Sequence, residues 1–171
     1  MYLVGRLLYG IDPMELSIQI CHQDGLTKNF LISEYLPDSL PIKNTKFDLI
    51  YAYSVFTHLS KRASIAAMET ICKYLDDDGI IVITIRPLEY WDMDKGATWK
   101  NISAELKAHH IQHGFAFNPH LKRAPIDGDI TYGDTTMSLN WIEKTFPFLK
   151  IVKSDYALSD PYQIYIFLKK R

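Results

Sequence analysis

The chain has 171 residues, 47% of them hydrophobic, which suits one globular domain over residues 1–171. Its 19 basic and 20 acidic side chains give a net charge of -1 without a long run of one sign. This balance argues against a protein that binds nucleic acid through bulk electrostatics. The apolar runs are far shorter than a membrane span, and the first residues lack a signal-peptide pattern. We therefore expect a cytoplasmic protein that does not enter a membrane.

Short apolar runs alternate with helical patterns in the first third of the chain. Arg6–Asp12 is an apolar run that ends in a carboxylate and predicts a buried strand. Pro13 can open a short helix, because its missing N–H costs nothing there, and Gly25 can end it. Asn29–Ser33 and Phe47–Ser54, both rich in β-forming residues, predict the next two strands.

A capped helix and a strongly apolar strand follow. Ser60 can cap a helix over Lys61–Leu75, whose apolar residues recur every three or four positions. The acidic run Asp76–Asp78 indicates a solvated turn in which Gly79 is free to adopt a positive φ. The β-branched run Gly79–Ile85 is typical of a central strand covered on both faces.

The last third predicts a helix, a long loop and a closing pair of strands. Asn101–His113 is a polar helix, and Gly114–Gly133 is expected to be irregular. A short helix over Ser138–Lys144 precedes strands at Phe148–Tyr156 and Gln163–Lys169, which a tight turn joins as an antiparallel pair. The whole order favours one open α/β sheet, mostly parallel, with an antiparallel final strand.

Several segments resemble one enzyme family in their order and spacing. YGIDP, YLPDSLP, FDLIYAYSVFTHLS and LDDDGIIVITIRPLEYW resemble the second half of class I S-adenosylmethionine-dependent methyltransferases. The ending YGDTTMSLNWIE with DPYQIYIFLKK resembles their final helix and strand pair. The resemblance covers nearly the whole chain. It implies a Rossmann-like sheet, S-adenosylmethionine as the cofactor, and a small molecule or glycan as the methyl acceptor.

The comparison with this family also indicates that a segment of the family pattern is missing from the sequence. The family has its first strand, a GxGxG loop and its first helix before YGIDP, where this chain has only Met1–Leu8. The eight glycines never fall in a GxG arrangement. We therefore expect a truncated, partial methyltransferase-like domain that lacks the first strand and helix. Its inner sheet edges would be exposed and its cofactor binding impaired.

The resemblance assigns cofactor-binding roles to residues that follow three predicted strands. Asp12 matches the acid that bonds the ribose hydroxyls, although it could instead cap the following helix. Ser33 and Glu34 would lie near the adenine, but Glu34 could equally be a solvated loop acid. Tyr53 and Ser54 begin the segment that the family places beside the transferred methyl group.

Candidate catalytic and substrate-binding residues follow the next two strand ends. His58 could accept a proton, because its pKa is ordinarily near neutrality, or it could pack and cap at a helix entrance. Arg86, Glu89, Tyr90 and Trp91 stand on the substrate side in the family. Such a cluster can hold a planar or anionic group, but it also occurs on surfaces without function.

Two further polar clusters have open interpretations. His109 and His113 share a helical face, which would suit a metal site, yet no HExxH pattern accompanies them. We therefore expect no metal and interpret the four neighbouring histidines as polar surface or substrate-loop residues: His109, His110, His113 and His120. The acidic segment IDGDITYGDT, which includes Asp127 and Asp134, could form a lid, a hydrogen-bonded turn, or both.

Two other functions compete with methyl transfer. A non-catalytic α/β module could bind a partner through exposed sheet edges or the aromatic loop, and the missing glycine loop favours it. A nicotinamide oxidoreductase also uses an acid such as Asp12, but this class does not explain SVFTHL.

Overall fold

The computed structural model describes residues 8–26, 29–93, 95–122 and 124–171. Within these residues the chain forms eight strands, four α-helices and one 3₁₀ helix. In chain order they are β1 (Gly10–Asp12), α1 (Glu15–Gln23), β2 (Phe30–Ile32), β3 (Phe47–Ala52), α2 (Lys61–Tyr74), β4 (Leu75–Ile85), the 3₁₀ helix (Leu88–Asp92), α3 (Ala97–His113), β5 (Phe115–Pro119), β6 (Gly133–Met137), α4 (Leu139–Thr145), β7 (Leu149–Ala157) and β8 (Asp160–Lys170).

The strands form three sheets rather than the single sheet that the sequence predicts. The largest has the order β3-β4-β8-β7, with β3 and β4 parallel and β8 antiparallel to both of its neighbours. β1 and β2 form a parallel pair, and β5 and β6 form an antiparallel pair. The predicted α/β class, the six predicted strands and the antiparallel final strand are confirmed. Residues 6 and 7, at the start of the predicted first strand, lie outside the described residues.

The β1–β2 pair is separate from the main sheet in the described part of the chain. Tyr9, just before β1, packs edge-on against Phe47 of β3 with ring centroids 5.2 Å apart. The loop after β2 is tied to α2, because Thr70 Oγ1 donates to the Pro37 carbonyl oxygen at 2.7 Å. β1 and β2 therefore reach the main body through side chains and a loop, without a shared backbone ladder.

The acidic run before the central strand is not the predicted turn. Leu75–Ile85 is one continuous strand, and the register on β3 slips between Phe47, opposite Leu75, and Leu49, opposite Ile80. Gly79 has no positive φ. A Cβ at Gly79 would lie 2.8 Å from both the Phe47 carbonyl oxygen and Leu75 Cδ1. Glycine is required here for close packing inside the irregular pairing.

The predicted irregular stretch Gly114–Gly133 is also wrong in part. Its first residues form β5, which pairs with β6 from Phe115 opposite Met137 to Pro119 opposite Gly133. α3 begins at Ala97, earlier than predicted, and ends at His113. The next residue, Gly114, caps the helix with a φ of 73°, in the left-handed region. Partners that are 14 or more positions apart leave no local signature, which is why the sequence pattern missed this hairpin.

One face of the main sheet carries the core. The side chains of Ile81, Ile83 and Ile85 are almost completely buried there against α2 and α4, whose contributions include Met68 and Ile142. Burying each such side chain stabilises the fold by about 1.5–3 kcal/mol. Between residues 81 and 85, β4 is therefore the covered central strand that the sequence predicts.

The opposite face of the sheet is apolar but open. Leu49 and Tyr51 of β3 are 56% and 57% exposed. They line a shallow depression of about 420 Å³ together with Ile80, Val82, Tyr165 and Phe167. None of the helices in the described ranges combines the length and apolar character that a membrane crossing requires.

Candidate functional site

A strained residue stands directly after β3. Ser54 has a φ of 56°, in the left-handed region that residues with a side chain rarely adopt. Its backbone N–H donates to Thr84 Oγ1 at 2.7 Å, the Thr84 hydroxyl donates to Gln163 Oε1 at 2.6 Å, and Gln163 Nε2 donates back to Ser54 Oγ at 3.3 Å. This closed network holds the strained backbone at the carboxyl ends of β3 and β4, where such strain commonly marks a functional site.

A buried ion pair stands beside this network. Arg86 follows β4, and its Nη1 donates to Asp134 Oδ1 at 2.8 Å and to the Thr57 carbonyl oxygen at 2.9 Å. The two side chains are only 12% and 11% exposed. Asp134 lies on β6, so this pair joins the hairpin to the end of the central strand.

Three further polar groups surround the Asp134 carboxylate. The Tyr90 hydroxyl donates to Oδ1 at 2.5 Å, His120 Nε2 lies 3.2 Å from Oδ2, and Lys95 Nζ lies 3.9 Å from Oδ1. Burial by itself raises the pKa of Asp134, but these hydrogen bonds and the charges of Lys95 and Arg86 together hold that pKa below its usual value. Burial, followed by the contact with Asp134, raises the pKa of Tyr90. Asp134 is therefore an anion at neutral pH, and Tyr90 is a neutral donor.

Both ring nitrogens of His58 form hydrogen bonds. Nδ1 lies 2.7 Å from the Gly133 carbonyl oxygen and must donate, while Nε2 accepts from Arg86 Nη2 at 3.2 Å. The ring stacks on Tyr132 with centroids 4.9 Å apart. Burial, with a smaller contribution from the charge of Arg86, lowers the pKa of His58. These contacts define a neutral imidazole whose acceptor nitrogen is occupied by Arg86.

Comparison with known proteins shows which family the chain resembles. The model of a methyltransferase domain family matches residues 1–83. The resemblance to S-adenosylmethionine-dependent methyltransferases is thus confirmed for the first 83 residues of the chain. No curated protein matches the sequence.

Solved structures with the same fold are methyltransferases of low sequence identity. One is an S-adenosylmethionine-dependent methyltransferase from Clostridium acetobutylicum (14% identity, TM-score 0.57, 95% of this chain and 74% of that chain). Another is OxaC in complex with sinefungin and meleagrin (14% identity, TM-score 0.59, 99% of this chain and 37% of that chain). A third is the glycopeptide N-methyltransferase MtfA complexed with S-adenosyl-L-methionine (5% identity, TM-score 0.59, 98% of this chain and 78% of that chain). At these identities the likeness concerns the fold, which is the predicted Rossmann-like methyltransferase fold.

The predicted cofactor residues lie at the ends of strands in two different sheets. Asp12 ends β1 and accepts from the Met14 N–H at 2.7 Å through Oδ1, so it does support the turn into α1. Ser33 donates its backbone N–H to the Asp12 carbonyl oxygen at 3.2 Å, and Glu34 is exposed. Tyr53, which is 37% exposed, lies beside the strained Ser54. Their roles in binding a cofactor stay predictions.

The four predicted substrate residues are placed differently from one another. Arg86 and Tyr90 belong to the cluster around Asp134, and Glu89 is exposed on the 3₁₀ helix. Trp91 is almost completely buried, and its Nε1 donates to Thr136 Oγ1 at 2.7 Å. Trp91 therefore supports the cluster from the core side, and it has no open face for a substrate in this arrangement.

Several residues of the cluster were not predicted. Thr84 had a visible signal, because it is the one polar residue in the run GIIVITI. Gln163 and Lys95 had none, since their partners are distant in sequence. Asp134 was noticed only as part of an acidic turn. The surface placement predicted for the four histidines is wrong for His110, which is only 7% exposed and contacts Thr136, whereas His120 contacts Asp134. No group of three or more metal-ligating side chains occurs in the described residues.

Proposed function

We propose that this chain binds S-adenosylmethionine and serves methyl transfer to a small molecule or a glycan. The observation that carries the proposal is the strained Ser54, held by Thr84 and placed next to the buried Arg86–Asp134 pair at the ends of parallel β3 and β4. Ligands of open α/β sheets bind at the carboxyl ends of their strands. The match to a methyltransferase domain family supports the same reading.

The residues present fit the cofactor on the ribose side. Met14 occupies one position on Asp12 Oδ1, and a carboxylate offers about four acceptor positions, so Asp12 retains the capacity to accept both ribose hydroxyls. Ser33 and Glu34, next to Asp12, would border the adenine, and Tyr53 and Ser54 would border the methyl group. When bound, the cofactor supplies a methyl group on a cationic sulfur. The protein's contribution would be to position the acceptor.

On the acceptor side, the chain would use Arg86, Glu89 and Tyr90 to orient the substrate, with Trp91 packing behind them. His58 would take a proton only after Arg86 Nη2 leaves its Nε2, which is at 3.2 Å. A methyl acceptor that needs a general base would therefore first have to contact Arg86 and draw it away from His58. The OxaC and MtfA structures, with meleagrin as a bound ligand and a glycopeptide as the named substrate, are examples of the acceptor classes proposed.

We propose that the affinity for the cofactor is low. The sequence has no GxG arrangement to approach the charged methionine end closely, and each absent polar contact to a charged group costs about 1.5–3 kcal/mol. Calorimetric titration with S-adenosylmethionine should therefore show binding only in the millimolar range, about -4 kcal/mol. Asp12→Ala should remove this binding, because it removes the ribose acceptor.

Asp24→Ala is the matched control, since Asp24 is an exposed acid at the other end of α1 and should leave the titration unchanged. Micromolar binding that survives Asp12→Ala would contradict both the placement of the ribose and the low affinity.

The open sheet face favours a second candidate function, a non-catalytic interaction module. Leu49 and Tyr51 are more than half exposed on β3, which has an unpaired edge within the described residues. Patches of this kind commonly mark interaction surfaces. If this is the function, analytical ultracentrifugation should show association at micromolar concentration that the double variant Leu49→Glu/Tyr51→Glu abolishes.

Leu158→Glu provides the comparison, because Leu158 is fully exposed in the turn between β7 and β8, away from that face. A wild-type chain that sediments as a monomer would count against the interaction module.

A further inference from the structure

The ammonium group of Lys95 is enclosed by two aromatic rings and a carboxylate. Its Nζ lies 4.3 Å from the centroid of the Tyr90 ring, 4.1 Å from that of Trp99 and 3.9 Å from Asp134 Oδ1. It also donates to the Tyr90 hydroxyl. Tyr90 and Trp99 are themselves 4% and 6% exposed, so their positions are set by the core. We call Tyr90, Trp99 and Asp134 the aromatic cage.

The cage has the composition that recognises ammonium groups in general. A cation over an aromatic face is attracted by the negative charge of the ring face, more strongly when it is shielded from water, and a second face and a carboxylate add to this attraction. The cage is rigid because Tyr90 packs edge-on against Trp99, with centroids 5.7 Å apart, and against Trp91 on the core side. Lys95, by contrast, is one-third exposed and comes from the short connection between the 3₁₀ helix and α3. A rigid receptor is thus filled by a side chain from a connecting segment.

A second observation concerns an unpaired donor on one wall of the cage. Trp99 Nε1 is buried and has no hydrogen-bond partner among the described residues. An indole N–H can only donate, and Lys95, which is also only a donor, cannot pair with it. The cage wall formed by Trp99 therefore lacks one hydrogen-bond acceptor, which an oxygen atom beside the edge of the indole would supply.

We propose that the aromatic cage binds the amine of the methyl acceptor, an amine with a nearby oxygen, and that Lys95 occupies the cage as a stand-in when no ligand is bound. Only the assignment of the ligand as the methyl acceptor rests on the proposed function. Tyr90 and Asp134 also contact Arg86 at the end of β4, so a ligand in the cage would lie on the predicted substrate side. Because a tethered group competes at an effective concentration in the millimolar range, the wild-type chain should bind a free ammonium weakly.

The test is a calorimetric titration with choline, which carries an ammonium head and a hydroxyl, in the absence of S-adenosylmethionine. Lys95→Met keeps the length of the aliphatic chain and removes the competing charge. We expect this variant to bind choline at least about tenfold more tightly than the wild type, a difference of ~1.4 kcal/mol. The uncharged isostere 3,3-dimethylbutan-1-ol should bind to neither protein, because it has the same shape but no cation.

Two control variants separate the cage from general effects of charge. Lys107→Met removes a lysine of α3 that pairs with Asp92 at 2.6 Å, outside the cage, and should leave choline binding as in the wild type. Trp99→Leu added to Lys95→Met should abolish the gain, with the fold checked by circular dichroism.

Equal affinities of the wild type and Lys95→Met for choline, or isostere binding as tight as choline binding, would overturn the proposal. Since no cofactor is present in this titration, its outcome is independent of whether the chain binds S-adenosylmethionine.

Discussion

Asp134→Ala is expected to lower the free energy of unfolding by about 3–5 kcal/mol, because it leaves the buried Arg86 without its counter-charge. Arg86 is 12% exposed, and its Nη1 is 2.8 Å from the Asp134 carboxylate. Tyr90 and His120 would lose their acceptor in the same substitution. Urea or guanidinium unfolding, followed by fluorescence of the tryptophans, measures the change.

Two comparisons isolate the buried charge. Asp134→Asn preserves the shape but removes the charge, so it should lose most of the same stability. Asp127→Asn breaks the Arg62–Asp127 pair, whose side chains are 52% and 74% exposed, and should change stability by no more than about 1 kcal/mol. Similar losses in the Asp127 and Asp134 variants would show that the Asp134 cluster contributes no more than a surface pair.

The same ion pair predicts how stability depends on pH. The pKa of Asp134 is held below its unfolded value of about 3.9, so its contribution is complete above that pH. It is lost as the pH falls through the folded pKa, when the carboxylate is protonated. The wild type should therefore lose stability below about pH 4, whereas Asp134→Asn should lack this part of the acid dependence.

Gly133→Ala is expected to destabilise the chain by at least about 2 kcal/mol, because the β5–β6 hairpin has no space for a side chain at this position. A Cβ at Gly133 would lie 2.1 Å from the Asn118 carbonyl oxygen, a backbone atom that cannot rotate away. The Gly133 N–H also donates to the His58 carbonyl oxygen at 2.8 Å, and its own carbonyl oxygen accepts from His58 Nδ1. The substitution should thus alter the hydrogen bonding of His58 as well as stability.

Denaturant unfolding and the ¹⁵N chemical shifts of His58 measure the two effects. Gly128→Ala is the comparison, because Gly128 has a φ of 77° but nothing within 4 Å of an added Cβ. It should cost only the backbone strain, about 1–2 kcal/mol, and leave His58 unchanged. If Gly133→Ala is no worse than Gly128→Ala and the His58 shifts do not move, the tight hairpin does not hold the imidazole.

Local patterns in the sequence were sufficient for the main elements. The β-branched run before Ile85 specifies a covered strand, and Ser60 specifies the start of α2, where its side chain accepts from the Ala63 N–H at 3.3 Å. These features depend on side chains and backbone within a few residues of one another, which is why periodicity and capping rules find them. The order of the segments was equally clear in the sequence, and it led to the resemblance to methyltransferases.

The sequence by itself therefore determined six of the eight strands, the four α-helices and the resemblance to methyltransferases, whereas the tertiary structure decided how the β5–β6 hairpin and the site are built. Arg86 and Asp134 meet across 48 positions, and the strand that contains the acidic run is defined by its pairing with β3, which begins at Leu75 opposite Phe47. The separation of β1 and β2 from the main sheet also depends on which strands find partners. Contacts of this kind arise only when distant segments pack together. No local sequence pattern therefore predicts that Lys95 lies in an aromatic cage or that Arg86 donates to Nε2 of His58.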